Sequence, residues 1–196
     1  IEWSAPQRFL AQANGLAWNT RKRAIDPTLV VEGEWLHCFF IGGGDGLAPG
    51  TKANLLGHAV SRDPALADWH ILSVAQPLIG ASPSAPDGVE NVTVVHDGQQ
   101  WVMVYSEGLD NQHLACATSP DLRQWTLQGA IAVPLQSWLS FRHGAPAIWR
   151  DGDQWLMLLM GEEDASHRST LGLLRSANLR DWIACPEHVE QLMHQL

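Results

Sequence analysis

Three copies of one sequence unit constrain the fold of this chain more than any other feature. The copies lie at residues 31–40, 96–105 and 150–159, and each carries an acidic residue and a glycine, a short polar step, a tryptophan and an apolar run. An acidic residue and glycine between two apolar runs predict a tight hairpin, because glycine adopts positive φ angles without steric cost. Each unit therefore predicts two antiparallel strands.

A second signature follows each hairpin and fixes the repeat length. Residues 119–125 read SPDLRQW and residues 176–182 read SANLRDW, while residues 61–69 carry the same pattern with a two-residue insertion. The tryptophans that end the three signatures are 56 and 57 residues apart. Repeats near this length, each with four short apolar stretches, are typical of propellers.

We therefore predict an all-β chain, a β-propeller of four-stranded antiparallel blades with three blades per chain. Residues 1–196 would form a single domain, with blades at roughly 24–75, 88–130 and 142–185 between a short N-terminal segment and a C-terminal tail. In the middle blade we predict strands at 91–96, 101–106, 114–118 and 125–127, and the other first strands at about 27–31 and 146–149. Only residues 187–196 suggest a short helix.

Tryptophan is the unusual residue in the composition, with ten copies against one tyrosine and four phenylalanines. Six tryptophans occupy repeat positions and are predicted to lie in the core between stacked sheets, at positions 35, 69, 101, 125, 155 and 182. Trp18 and Trp138 each precede a first strand in loop-like sequence. An indole there either forms a sugar-stacking platform or plugs a gap in the packing.

Charge and cysteine content limit the classes of partner and cofactor that we expect for this chain. The net charge is −9 and the few lysines and arginines are scattered, which argues against nucleic acid and against an anionic membrane surface. No apolar run reaches the roughly 18 residues of a membrane span. Cys38 and Cys116 lie in apolar runs and are expected to behave as small hydrophobic residues. The cysteines lack metal-ligand spacing, so we expect no metal and no cofactor, and their odd number leans towards a cytoplasmic protein.

Several of these motifs resemble glycoside hydrolase family 32, the invertases and fructanases, whose repeats are similar to those of families 43, 68 and 130. Residues 56–63, which lead to Trp69, look like the end of the first blade in that family. Residues 24–27, Ala-Ile-Asp-Pro, resemble the Asp-Pro that starts the blade. Residues 140–143, Ser-Phe-Arg-His, are similar to the Phe-Arg-Asp-Pro of a later blade. The resemblance covers residues 24 to about 182.

The resemblance implies a five-bladed propeller whose first strands line a central funnel. One carboxylate there attacks the anomeric carbon or activates water, and a carboxylic acid protonates the leaving oxygen. On matching positions Asp26 would be the nucleophile or base. Where the family has a third acidic residue after Phe-Arg, this chain has His143. The general acid would follow in the next blade, for which the fourteen residues after Trp182 are too few. Catalytic activity is therefore left open.

Glu90 lies in residues 88–93, which resemble the Glu-Asp-Pro motif of family 130 with Asn91 and Val92 in place of Asp and Pro. We predict that Glu90 and Asp26 point towards one funnel as a catalytic pair. The alternative for Glu90 is a turn carboxylate satisfied by backbone amides. Arg142 and His143 head the third first strand and are predicted to bind substrate.

Other polar residues are given structural roles. Glu107, Glu162 and Glu163 end second strands and are expected to be mostly solvated loop charges. His58 lies within a third strand and is expected to be a core histidine.

Two functional hypotheses remain. The first is a glycosidase-like protein that acts on or binds a small oligosaccharide or glycoside in the funnel. The alternative is a non-catalytic carbohydrate-binding or protein-interaction propeller that has lost the general acid. Three blades form an open half-ring, so we expect either a homodimer that closes a ring of six blades or a fragment of a longer protein, and we favour the dimer.

Overall fold

The computed structural model describes residues 9–134, 136–164, 166 and 168–185, and its strands form three antiparallel sheets of four strands each. The all-β, three-blade prediction is confirmed, whereas the helix expected at 187–196 lies outside the described residues. Short 3-10 helices span Ala11–Gly15 and Ser137–Leu139. Neither of these helices is long and apolar enough to cross a membrane.

The strand bounds follow the repeat, with β1–β4 in the first sheet, β5–β8 in the second and β9–β12 in the third. They are β1 Ile25–Glu32, β2 Trp35–Asp45, β3 Lys52–Ser61, β4 His70–Ile71, β5 Val89–His96, β6 Trp101–Glu107, β7 His113–Ser119, β8 Thr126–Ala130, β9 Arg142–Asp151, β10 Gln154–Glu162, β11 Ser169–Ser176 and β12 Ile183–Ala184.

The core lies between successive sheets, with the second sheet packed between the first and the third. One apolar cluster joins Phe39 and Leu56 of the first sheet to Met103 of the second. Another joins Val104 of the second sheet to Met157 of the third. The first strands lie side by side, because β1 packs against β5 and β5 against β9. Residues 9–18 cover the face of the first sheet that points away from the second.

Each first strand begins with the same irregularity. Asp26, Asn91 and Ala145 have φ angles of 50°, 52° and 51°, and the pairing register shifts at that point in all three sheets. These three residues therefore occupy equivalent positions. Glu90 precedes the bulge residue and is equivalent to Gly144 rather than to Asp26, so Asp26 and Glu90 are not copies of one repeat position.

Trp35 occupies a different register position in its hairpin from the positions that Trp101 and Trp155 occupy in theirs. It pairs with Glu32 at the end of its hairpin, which is the position that Gln154 takes in the third sheet, whereas Trp155 pairs with Arg150. A shift of one residue turns a side chain to the other face of a sheet. Trp35 therefore faces the sheet that follows its own, whereas Trp155 faces the sheet that precedes its own.

All three cysteines are buried free thiols, at positions 38, 116 and 185. Cys38 and Cys116 lie in the apolar clusters, as expected for small hydrophobic residues. Burial raises the pKa of the Cys38 thiol to about 12. A thiol in this environment stays protonated and unreactive.

Candidate active site

The candidate site lies at one edge of the three sheets, which we call the head rim. Antiparallel pairing brings the starts of the first and third strands and the ends of the second strands to this edge. Its polar residues are Asp26, Asn54, Glu90, Gln112, Arg142, His143 and Glu162. Among the residues that the structure describes, no group of three His, Cys, Asp or Glu side chains is placed to hold a metal ion. The rim offers carboxylates, side-chain amides, the Arg142 guanidinium, and the imidazoles of His143 and of His113 at the start of β7.

Asp26 is exposed at the head of β1 and is followed by Pro27. None of the described residues donates a hydrogen bond to its carboxylate, which is open to solvent. Its left-handed backbone is shared by Asn91 and Ala145, so that conformation belongs to the blade and is not peculiar to this residue. The neighbouring strand is close, because Thr28 Oγ1 donates a hydrogen bond to the backbone oxygen of Val92.

Glu90 is half-buried at the head of β5 and is held by two side-chain amides. Asn54 Nδ2 of the first sheet donates to Oε2 at 3.1 Å, and Gln112 Nε2 of the second sheet donates to Oε1 at 2.7 Å. These side chains, and not the backbone amides of a turn, satisfy the carboxylate. Because both oxygens are held, the direction in which Glu90 presents its remaining lone pairs is set by the fold.

Gln112 links Glu90 to the third sheet. The Gln112 side chain is buried, and its backbone oxygen accepts the His143 N–H at 3.1 Å. A Cβ on Gly144 would overlap the Gln112 amide and would lie 2.7 Å from Ser106 Oγ, so the close approach requires glycine. Neither Asn54 nor Gln112 was singled out from the sequence. Their only signal there is a place near the start of a third strand.

Arg142 forms a bidentate pair with Glu162. Its Nε and Nη2 donate to the two carboxylate oxygens at 2.8 and 2.9 Å, and Nη1 donates to the Leu109 backbone oxygen at 3.1 Å. The hydrogen bonds to Glu162 raise the pKa of the Arg142 guanidinium. The expectation that Glu162 is a solvated loop charge is wrong, since its side chain is 2% exposed. The reason is strand register, which places Arg142 directly opposite Glu162.

Glu107 also departs from the expected solvated charge. Its side chain is 14% exposed, and one carboxylate oxygen lies 3.2 Å from His113 Nε2. Ser82 and Ser84 donate to the other oxygen at 3.4 and 3.3 Å. Its place in β6 directly opposite His113 explains this environment.

His143 is half-buried next to Arg142, and its Nε2 is buried without a hydrogen-bond partner in the described part of the chain. Burial lowers the pKa of His143, and the nearby His113 lowers it further. The ring is therefore neutral at neutral pH. A neutral imidazole offers one donor and one acceptor, which is a suitable complement to a hydroxyl group.

The two loop tryptophans pack over glycines. Trp18 stacks on Phe40 with ring centroids 6.2 Å apart, and its Nε1 donates to the Ser73 backbone oxygen at 2.7 Å. Trp18 covers Gly42, and Trp138 covers the equivalent Gly161 of the third sheet and borders a cavity of about 230 Å³. The packing accounts for both indoles as gap-filling residues, and sugar stacking by either one stays a prediction.

The chain was compared with known proteins. No protein-family model matches it. A curated raffinose invertase from Escherichia coli is 29% identical over 147 residues, which cover 70% of this chain and 28% of that protein. The chain thus spans less than a third of this curated relative.

Solved structures give the same picture of the fold. A glycosyl hydrolase from Bacteroides ovatus matches with a TM-score of 0.62 and 19% identity over 83% of this chain and 48% of its own. Fructan 1-exohydrolase IIa from Cichorium intybus matches with a TM-score of 0.63 and 19% identity over 83% of this chain and 32% of its own. At these identities the likeness shows the fold, which is the β-propeller of glycoside hydrolases, and the recognition of that fold from the sequence is confirmed.

Proposed function

We propose that this protein is glycosidase-like and binds a small oligosaccharide or glycoside at the head rim, with Asp26 and Glu90 as the working carboxylates. The observation that carries the proposal is the pair of amides that hold Glu90 at the head of β5, the strand that packs against β1, whose head carries Asp26. A carboxylate fixed in this way accepts hydrogen bonds from sugar hydroxyls in one direction only. The likeness to a raffinose invertase supports a carbohydrate as the ligand.

The other rim residues take supporting roles in this proposal. His143 hydrogen-bonds a sugar hydroxyl through its neutral ring. Arg142 stays paired with Glu162 and contributes positive charge near Glu90, since the Glu90 carboxylate is one of the charges that act on it. Trp18 and Trp138 would stack on a sugar only with the part of the indole that packing leaves exposed. In catalysis Asp26 acts as nucleophile or base, in the two-carboxylate manner of glycoside hydrolysis.

The test is hydrolysis of a panel of aryl glycosides and fructans by the wild-type chain and by Asp26→Asn and Glu90→Gln. Each substitution keeps the shape of the side chain and removes its charge. We expect each to lower the rate at least about a hundredfold, the scale of acid and base contributions to catalysis. Glu34→Gln is the control, because Glu34 is exposed in the β1–β2 turn at the opposite end of the first sheet.

The alternative is binding without turnover, and one feature of the structure favours it. The bulge position that holds Asp26 in the first blade holds Ala145 in the third, and the buried acid of the third blade, Glu162, is paired with Arg142. Neither of these two positions in the third blade therefore supplies a proton donor.

Calorimetric titration with the same oligosaccharides separates the two hypotheses. A wild-type chain that hydrolyses none of the panel but binds a sugar, with an affinity that Glu90→Gln lowers at least about tenfold, supports the non-catalytic hypothesis. Equal rates in wild type and both rim variants would refute the catalytic assignment. A chain that neither binds nor hydrolyses the panel counts against both hypotheses.

A further inference from the structure

A cavity of about 450 Å³ lies between the first and second sheets, and none of the residues that border it belongs to the head rim. They are His58 of β3, Arg123 in the turn between β7 and β8, and residues 72–78, which link β4 to β5. Leu72 and Val74 border the cavity with 43% and 58% of their surface exposed. The volume is in the range of cavities that bind small molecules.

The His58 ring brings an unpaired hydrogen-bond acceptor to this cavity. His37 Nδ1 lies 2.9 Å from His58 Nε2, and the Glu32 carboxylate lies 3.8 Å from His37 Nε2. Burial lowers the pKa of both histidines, so the rings are neutral. The carboxylate favours a proton on His37 Nε2, so His37 accepts through Nδ1 and His58 donates from Nε2. His58 Nδ1 is then an acceptor to which none of the described residues donates, in a residue that is 1% exposed.

The repeat shows that blade packing does not require these histidines. In each blade, the second-strand residue that pairs just after the first-strand bulge also pairs with one third-strand residue, and these third-strand residues are His58, Cys116 and Leu173. Two residues earlier on the second strands, the equivalents of His37 are Val102 and Leu156. The other two blades thus carry a thiol or apolar side chains where the first carries imidazoles. An unpaired polar atom in a buried position is costly unless a further group satisfies it.

Arg123 supplies a positive charge beside the same cavity. Its guanidinium lies 5.9 Å from the Trp35 ring and donates to the Asp121 backbone oxygen at 3.4 Å, but none of the described side chains accepts a hydrogen bond from it. The Asp121 carboxylate is held instead by backbone amides of its own turn. Arg180, the equivalent residue of the last signature, donates to Gln128 of the preceding blade. Arg123 therefore keeps donors for an anion that its counterpart uses within the protein.

We propose that this cavity binds a small hydroxy acid with an apolar body, in its carboxylate form. The Arg123 guanidinium pairs with the carboxylate, for which its planar fork of donors is suited. The hydroxyl group donates to His58 Nδ1, and the apolar body packs against Leu72 and Val74. The proposal is independent of the proposed function, because the cavity shares no residue with the head rim.

Calorimetric titration with three matched probes tests the two polar contacts. The probe para-hydroxyphenylacetate has the carboxylate, the apolar ring and the hydroxyl group, whereas phenylacetate lacks the hydroxyl group and tyrosol lacks the charge. We expect para-hydroxyphenylacetate to bind with a dissociation constant below about 1 mM, and each of the other two probes to bind at least about tenfold more weakly. A wild-type chain that does not bind para-hydroxyphenylacetate in this range, or that binds either of the other probes as tightly, overturns the proposal.

Arg123→Gln then locates the carboxylate contact. The substitution should raise the dissociation constant of para-hydroxyphenylacetate at least about tenfold. Arg150→Gln is the matched control, because Arg150 also lies over a tryptophan ring, that of Trp155 at 5.0 Å, but does not border the cavity. The control should bind the probe as wild type does, and so should the rim variant Glu90→Gln. Unchanged binding in Arg123→Gln, or an equal loss in Arg150→Gln or Glu90→Gln, contradicts the assigned site.

His58→Cys tests the hydroxyl contact, and Cys116 at the equivalent position of the second blade shows that a thiol fits there. The variant should bind para-hydroxyphenylacetate no more tightly than phenylacetate. Circular dichroism checks that it is folded. If it is not, the difference between the same two probes on the wild-type chain remains the test of the hydroxyl contact. A folded His58→Cys chain that keeps the full preference for the hydroxylated probe contradicts the role of His58.

Discussion

His37 and His58 form a buried pair of rings on the face of the first sheet that packs against the second. They are 0% and 1% exposed, and His37 Nδ1 lies 2.9 Å from His58 Nε2. The His58 ring also stacks on Phe39 with centroids 4.4 Å apart. Burial lowers the pKa of His58 to about 3, with smaller effects from His37 and Arg123. The expectation of a core histidine is confirmed, and the pair is neutral in the folded protein.

The burial of these histidines should make the protein less stable at acidic pH. Between the ordinary pKa of 6.5 and the folded value of about 3, the unfolded chain binds a proton at His58 and the folded chain does not. The free energy of unfolding should therefore fall as the pH is lowered from 7 to 5, by up to about 1.4 kcal/mol per pH unit for one such group. Urea unfolding at a series of pH values in this range measures the slope.

His58→Gln should flatten that slope, because the variant has no imidazole at this position to protonate on unfolding. His70→Gln is the control, since the His70 side chain is 64% exposed. It should leave the slope near that of wild type. If wild type and His58→Gln lose stability equally between pH 7 and 5, His58 is not the source of the acid sensitivity.

Single residues at the rim show where sequence patterns stop being informative. Asp26 and Glu90 could be placed at strand heads from the repeat alone. The partners of Glu90 could not, because Asn54 comes from the neighbouring sheet and approaches Glu90 only after the sheets stack, while Gln112 approaches it through the strand register of its own sheet. The burial of Glu162 depends likewise on its register with Arg142. A pattern of turns predicts the strands of a hairpin but not which side chains lie opposite each other.

At the scale of the hairpin, one residue separates the first blade from the others. The segment between Gly33 and Trp35 is one residue shorter than the segments between Gly98 and Trp101 and between Gly152 and Trp155. Matching the tryptophans therefore places Trp35 on the wrong face, and the prediction that the repeat tryptophans lie in the core between sheets fails for Trp35, which belongs to none of the apolar clusters of the described residues. Trp35 is half-buried under the guanidinium groups of Arg62 and Arg123, at 5.1 and 5.9 Å from the ring.

This difference in environment predicts that truncating Trp155 destabilises the protein more than truncating Trp35. Trp155 is 5% exposed within the core between the second and third sheets. Trp155→Ala should lower the free energy of unfolding by about 3–5 kcal/mol, the usual cost of removing a buried large aromatic side chain. Trp35→Ala should cost about 1–2 kcal/mol, from partial burial and cation–π contacts. Urea unfolding of the two variants measures both values, and equal losses would contradict the half-buried position of Trp35 outside the apolar clusters.

At the scale of the whole molecule, the number and type of blades follow from the sequence, because a turn with an acidic residue and a glycine occurs three times and the Ser-to-Trp signatures end 56 and 57 residues apart. The exposure of residues on the outer faces of the first and third sheets does not follow from the sequence. Leu171 and Leu66 read in the sequence like Leu114 and Leu122, and only the stacked sheets reveal that the first two are exposed. The repeat thus predicts the interior of an array but not how its ends are covered.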